Sequence, residues 1–119
     1  MPRLRVGHIY VLQNTNTMDN KFYVGSTTEP RLEDRMKRHR YECYHAHRQH
    51  YTYPVYEHIR ANGGFALWEC QVLEHFPFRT LSELREREQW WIDQLQPALN
   101  TMKAIRCAQP EQNNSIMTE

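Results

Sequence analysis

Val6-Gly7-His8-Ile9-Tyr10-Val11-Leu12-Gln13, the polar link Asn14-Thr15-Asn16-Thr17-Met18-Asp19-Asn20, and Lys21-Phe22-Tyr23-Val24-Gly25 together read as two strands and a turn. The two apolar runs are rich in β-branched and aromatic residues, and the link between them holds the residue types that turns use. Strands this close in sequence pair antiparallel, as a hairpin. A side-chain period of two puts His8, Tyr10 and Leu12 on one face of the first strand and sets Phe22 and Val24 opposite Tyr23 on the second.

Working outward, Thr27-Thr28-Glu29-Pro30 ends the extended run. From Arg31 to about Tyr44 the residues Leu32, Met36 and Cys43 recur at helical spacing. A polar, aromatic loop leads to a second helix from about Tyr53 to Ala61, with Pro54 in its first turn and Asn62-Gly63-Gly64 as its stop. A third strand fits Leu67 to Phe76, broken by Pro77-Phe78-Arg79. Thr80-Leu81-Ser82-Glu83 is a capping box that opens a helix from Leu81 to about Leu95. The order ββααβα predicts an α+β fold, a small three-stranded antiparallel sheet flanked by helices. With 119 residues the chain suits one domain. We place that domain at residues 1–103 and read 104–119 as a polar, disordered tail.

Composition excludes some classes. No run approaches the roughly 18 apolar residues that span a bilayer, and the first residues lack the apolar core of a secretory signal. Three cysteines, at positions 43, 70 and 107, form no CxxC pair. These features point to an intracellular protein. The net charge of +1 hides a segregation: residues 1–60 carry ten Lys/Arg against six Asp/Glu, and residues 61–119 carry five against eight. The first half is therefore +4 and the second −3.

Two residues do not fit their helical faces. In the last helix Leu81, Leu84, Glu88, Trp91, Ile92 and Leu95 fall within one arc of roughly 100°, with Glu88 near its middle. A carboxylate on an apolar stripe requires a partner, namely a metal, an Arg or hydrogen-bond donors. In the first helix His39 shares the arc of Leu32, Met36 and Cys43, and Arg35 stands four residues beneath it. Taken alone, His39 reads as a core histidine, Tyr10 and Tyr23 as core aromatics, and Glu88 as an Arg-paired or edge carboxylate. Their joint occurrence suggests that two tyrosines, an Arg/His pair and a Glu meet over one face of the sheet.

These residues resemble the GIY-YIG nucleases. Gly7-His8-Ile9-Tyr10 is similar to the first name motif, with the glycine displaced by one, and Tyr23-Val24-Gly25 to the second. Arg35 and His39 match the family's Arg followed four residues later by His, and Glu88 and Asn100 its late Glu and Asn. The likeness spans roughly residues 6–103 and is nearest to the homing and restriction-type members. It implies a metal-dependent DNA endonuclease with Tyr10, Tyr23, Arg35, His39, Glu88 and Asn100 as catalytic residues. In that reading Glu88 holds one divalent ion, Mg²⁺ or Mn²⁺. Arg35 grips the scissile phosphate, Tyr10 activated by His39 deprotonates water, Tyr23 positions water or phosphate, and Asn100 orients the site.

The stretch from Lys37 to Tyr51 interleaves cations with aromatic rings, which suits phosphate binding and base stacking. Lys37, Arg38, Arg40, Arg48 and His50 are its candidate DNA contacts; a solvated helix face is the plainer reading. Trp90 falls on the polar side of its helix, where it would serve a homodimer or a partner subunit. Two other readings compete. One is a catalytically inactive nucleic-acid-binding module of the same fold. The other is an interaction domain holding zinc at Cys43-x-His45-x-His47, a spacing that matches no standard zinc pattern.

Overall fold

The structure, a computed structural model, describes residues 3–100. Its elements are β1 (Arg5–Asn14), β2 (Phe22–Thr27), α1 (Leu32–Tyr44), α2 (Pro54–Ala61), β3 (Trp68–Phe78) and α3 (Leu81–Leu95), with 3₁₀ turns at Gln49–Thr52 and Phe65–Leu67. The order and the α+β class are those expected. The tail expected over 104–119 lies outside the described residues.

The three strands form one antiparallel sheet in the order β2-β1-β3, so the most apolar strand, β1, is central. Its two faces support separate cores. Tyr10 and Leu12 of β1 and Tyr23 of β2 pack with Cys43 of α1 and with Val55, Tyr56 and Ile59 of α2. Ile9 and Val24 face the other way, against Phe78 of β3 and Leu84 of α3. Successive strand residues point to opposite faces, so α1 and α2 cover one side of the sheet and α3 the other. Each large apolar side chain withdrawn from water in these layers contributes roughly 1.5–3 kcal/mol before the entropy of ordering is counted.

The third strand departs from expectation at both ends. It begins one residue later, because Phe65–Leu67 winds into a 3₁₀ turn, and it continues through Pro77 to Phe78. Pro77 is tolerated because β3 is an edge strand, where a missing N–H leaves no ladder bond broken. A bulge also intervenes. Ile9 pairs with Glu74 and Tyr10 with Val72, leaving Leu73 as the extra residue. The bulge reverses the inward phase along the strand. Cys70 joins the α1/α2 core before it, while Leu73 and Phe76 join the α3 core. The α3 capping box forms as the sequence indicates, with Glu83 N–H donating to Thr80 Oγ1 and Thr80 N–H to Glu83 Oε1.

Candidate active site

Tyr10, on the central strand, is fully buried on the α1/α2 face, and its hydroxyl lies 2.6 Å from His39 Nε2 in a hydrogen bond. The approach depends on Gly25, the cross-strand partner of Tyr10, where a Cβ would stand 2.7 Å from the Tyr10 hydroxyl. His39 is itself only 1% exposed, and its other ring nitrogen lies 2.7 Å from Tyr56 Oη. Tyr56 in turn donates to Glu42 Oε1 over 3.0 Å. Sequence reasoning did not find Tyr56 or Glu42. A tyrosine on an apolar helix face and one acid in a basic stretch carry no local signal; only the packing of α2 on α1 joins them.

Tyr23 edges against the His39 ring, with centroids 5.9 Å apart. Its hydroxyl has no hydrogen-bond partner among the described residues. Burial pushes its pKa up to about 12, the Glu88 carboxylate adds to the rise, and the Arg35 guanidinium opposes it. Tyr23 thus lies electrostatically between Glu88 and Arg35. Burial also raises Tyr10 well above the ordinary tyrosine range, aided by Tyr23 and opposed by Arg35. Tyr10 is therefore a neutral phenol at ordinary pH.

Arg35 is half-buried and makes no ion pair or hydrogen bond among the described residues. Burial alone would lower its pKa, but the acidic groups around it, Tyr10 and Tyr23 foremost and Glu42 with them, outweigh that and raise it. A desolvated cation without an internal anion marks an anion site. Ser26, Thr27, Thr28, Arg35, Arg38 and Arg85 line a polar cavity of about 220 Å³ at this position. Arg85 was not foreseen. It stands one turn before Glu88 on α3, where an exposed arginine reads as ordinary surface.

The expectation that all these groups meet over one sheet face needs correction. Tyr10, Tyr23, Arg35 and His39 share the α1/α2 face, whereas Glu88 comes from α3 on the opposite side. The meeting place is the free edge of β2: Ser26, on the α3 face, donates to Glu88 Oε1 over 2.5 Å. No cation pairs with the half-buried Glu88 carboxylate among the described residues. Asn100 occupies the same edge. Val24 N–H donates to its Oδ1 at 2.8 Å, and its Nδ2 donates back to Val24 O at 2.7 Å. The asparagine amide thereby caps the open ladder of β2 as a neighbouring strand would.

The basic stretch divides. Arg38 shares the cavity with Arg35 while pairing with Glu29 at 3.0 Å. Lys37 is exposed near Asp34, and Arg40 lies over the Phe65 ring, away from the cavity. Arg48 lies over Tyr41, on whose ring His45 stacks at 3.6 Å, a small exposed platform. His50 is partly exposed, with its Nδ1 buried and 3.3 Å from Glu42 Oε2 without hydrogen-bond geometry. Cys43 is buried against Tyr56 O, while His45 sits on the exposed Tyr41 with the exposed His47 ring edge-on to it at 5.7 Å. Those three do not converge on a common centre. Trp90 is exposed, beneath Arg87, and lines an open groove of about 570 Å³ between apolar Leu4, Phe76, Pro77 and Phe78 and the charged Arg79, Glu83, Glu86 and Arg87. No described helix is long and apolar enough to cross a membrane.

The sheet, ordered β2-β1-β3, lies between α1/α2 and α3, and Tyr10, Tyr23, Arg35 and Glu88 come to the site from β1, β2, α1 and α3. The chain belongs to the GIY-YIG family, whose catalytic-domain model matches residues 6–103. It is similar to the solved catalytic domain of the homing endonuclease I-TevI, with 29% identity, a TM-score of 0.57, and coverage of 76% of this chain and 88% of that one. No curated protein matches it at a significant level.

Proposed function

We propose that the protein is a metal-dependent DNA endonuclease that hydrolyses phosphodiester bonds at the β2 edge, with residues 1–103 as its catalytic domain. The observation that carries this reading is Arg35, a half-buried guanidinium with no ion-pair partner among the described residues, standing beside the Tyr10–His39 pair. Its planar fork suits the two free oxygens of a phosphodiester. Arg38 and Arg85, on the same cavity, are placed to hold neighbouring phosphates.

Glu88 fits a single hard cation. Among the described residues it has a hydroxyl beside it and no cation paired with it, a donor set of oxygens that suits a largely hydrated Mg²⁺ or Mn²⁺. When bound, such an ion supplies charge stabilisation to the phosphoryl and departing oxygens.

In the hydrolysis the water oxygen bonds to phosphorus and the bond from phosphorus to the 3′ oxygen breaks. The water proton passes to Tyr10 Oη while the Tyr10 proton passes to His39 Nε2, and the departing oxygen takes a proton from solvent. The buried phenol of Tyr10 is too weak an acid to stand as a phenolate, so it serves as a conduit to the imidazole. Arg35 holds the scissile phosphate, Tyr23 orients water or phosphate through its hydroxyl, and Asn100 braces the strand that carries Tyr23. Lys37, Arg40, Arg48 and the Tyr41–His45 platform extend contact along the DNA. A domain of this size touches a short duplex, and a homodimer or partner subunit seated near Trp90 would extend its reach.

Incubation with Mg²⁺ and duplex, branched and single-stranded DNA tests the proposal. The expected products carry 5′-phosphate and 3′-hydroxyl ends and disappear on chelation; intact substrates throughout would contradict it.

A further inference from the structure

The imidazole of His39 is held at both ends, and the order of donors along the chain from Glu42 to Tyr10 determines which end carries its proton. Glu42 Oε1 accepts from the Tyr56 hydroxyl over 3.0 Å. That hydroxyl has one hydrogen, so toward His39 Tyr56 Oη can only accept, and the 2.7 Å contact requires a hydrogen on His39 Nδ1. A neutral imidazole protonated at Nδ1 has a bare Nε2. The bare nitrogen faces Tyr10 Oη at 2.6 Å, where it accepts the phenolic proton. Burial, reinforced by the Glu42 charge, pushes the Tyr56 pKa up and keeps the phenol protonated.

We propose that Glu42 and Tyr56 are positioning residues that lock His39 in the Nδ1–H tautomer, so that Nε2 is always the end presented to Tyr10. The proposal rests on the nuclease reading for its catalytic meaning and on the hydrogen-bond order for its structural content. In the reaction the Tyr10 proton bonds to Nε2, and the resulting imidazolium keeps its Nδ1–H on Tyr56. Glu42 lies one phenol away, its carboxylate opposing the new positive charge. The arrangement is a base–orienter relay in which a tyrosine stands between the histidine and the acid. Other titratable groups face this centre: Tyr23 from β2, Arg35 from α1, Cys70 from β3 beside Tyr10, and His50 on the far side of Glu42.

The test combines imidazole nitrogen NMR with kinetics on the full chain. In ¹⁵N-histidine-labelled wild-type protein His39 should show a protonated Nδ1 and a bare Nε2. Tyr56→Phe should lose that preference and lower kcat about 10- to 100-fold with KM unchanged. Glu42→Gln can still accept from Tyr56, so it should keep the tautomer, lower kcat, and shift the acid limb of the kcat–pH profile to lower pH, because the imidazolium loses its counter-charge. Glu42→Gln also covers the case in which Tyr56→Phe fails to fold. A bare Nδ1 in the wild type, or wild-type kcat and pH profile in Glu42→Gln, would overturn the proposal. A correctly protonated His39 in a protein that cleaves no DNA would instead overturn the nuclease reading and leave the tautomer lock standing.

Discussion

Gly25 and Tyr10 face each other across β1 and β2 so closely that a Cβ on Gly25 would meet the Tyr10 hydroxyl at 2.7 Å and a carbon of the Tyr23 ring at 2.9 Å. The glycine of the second name motif thus makes room for both tyrosines at once. A methyl there should push the Tyr10 hydroxyl out of line with His39. Gly25→Ala is expected to cost about 1–3 kcal/mol of stability through overpacking, and cleavage should fall about 100-fold, because the displaced group is the proposed proton conduit. Thermal melts beside single-turnover cleavage check the split.

Asn100 binds both backbone groups of Val24 on the open edge of β2. Asn100→Ala should cost about 1–3 kcal/mol by leaving those groups without partners. Asn100→Asp should be no better, since a carboxylate accepts from Val24 N–H but repels Val24 O. Denaturant melts of the two variants decide this, and a wild-type melt for Asn100→Asp would refute the two-way clamp.

Asp19 ties the β1–β2 loop to α2. Burial would raise its pKa, yet hydrogen bonds from Asn14, His58 and the Lys21 amide outweigh this and hold the carboxyl below the usual range. Because the folded value lies below the unfolded one, about 3.9, the carboxylate stabilises the fold above that pH. The contribution is lost as pH falls through the folded value. Melting temperature should therefore drop on acidification below about pH 4, and Asp19→Asn should flatten that limb while lowering stability at neutral pH.

Arg85 shares a cavity with Arg35 and Arg38. If it holds a phosphate, Arg85→Ala should weaken duplex binding and reduce the slope of log K against log salt by about 1. Arg40, directed over Phe65 and away from the cavity, should have a smaller effect. Fluorescence titrations over a range of salt concentrations without divalent ions, so that nothing is cut, measure both.

The strands and helices were readable because their patterns are local: alternation over Val6–Gln13, a 3.6-residue stripe through Leu84, Glu88 and Trp91, and a capping box at Thr80. Glu88 and His39 announced themselves as polar residues on apolar stripes. What stayed hidden depends on tertiary packing. The bulge at Leu73 reverses which side of β3 faces inward, and no residue type there signals it. Pro77 reads as a breaker until β3 is known to be an edge. Tyr56, Glu42 and Arg85 are unremarkable on their own helices, and they acquire roles only because α2 packs on α1 and α3 reaches the β2 edge. That edge, and not one face of the sheet, is where the candidate site assembles.

The most direct test compares plasmid cleavage by wild-type protein, Tyr10→Phe and Glu88→Gln in a Mg²⁺ titration, with melts to show that all three fold. Glu88→Gln should change stability little, whereas Tyr10→Phe leaves the buried His39 Nε2 without this partner and should cost about 1–3 kcal/mol, so cleavage is compared at a temperature where the melts show all three folded. The account predicts Mg²⁺-dependent cleavage by the wild type and at least a roughly 100-fold loss in each variant. Full Mg²⁺-dependent cleavage by either variant would contradict it.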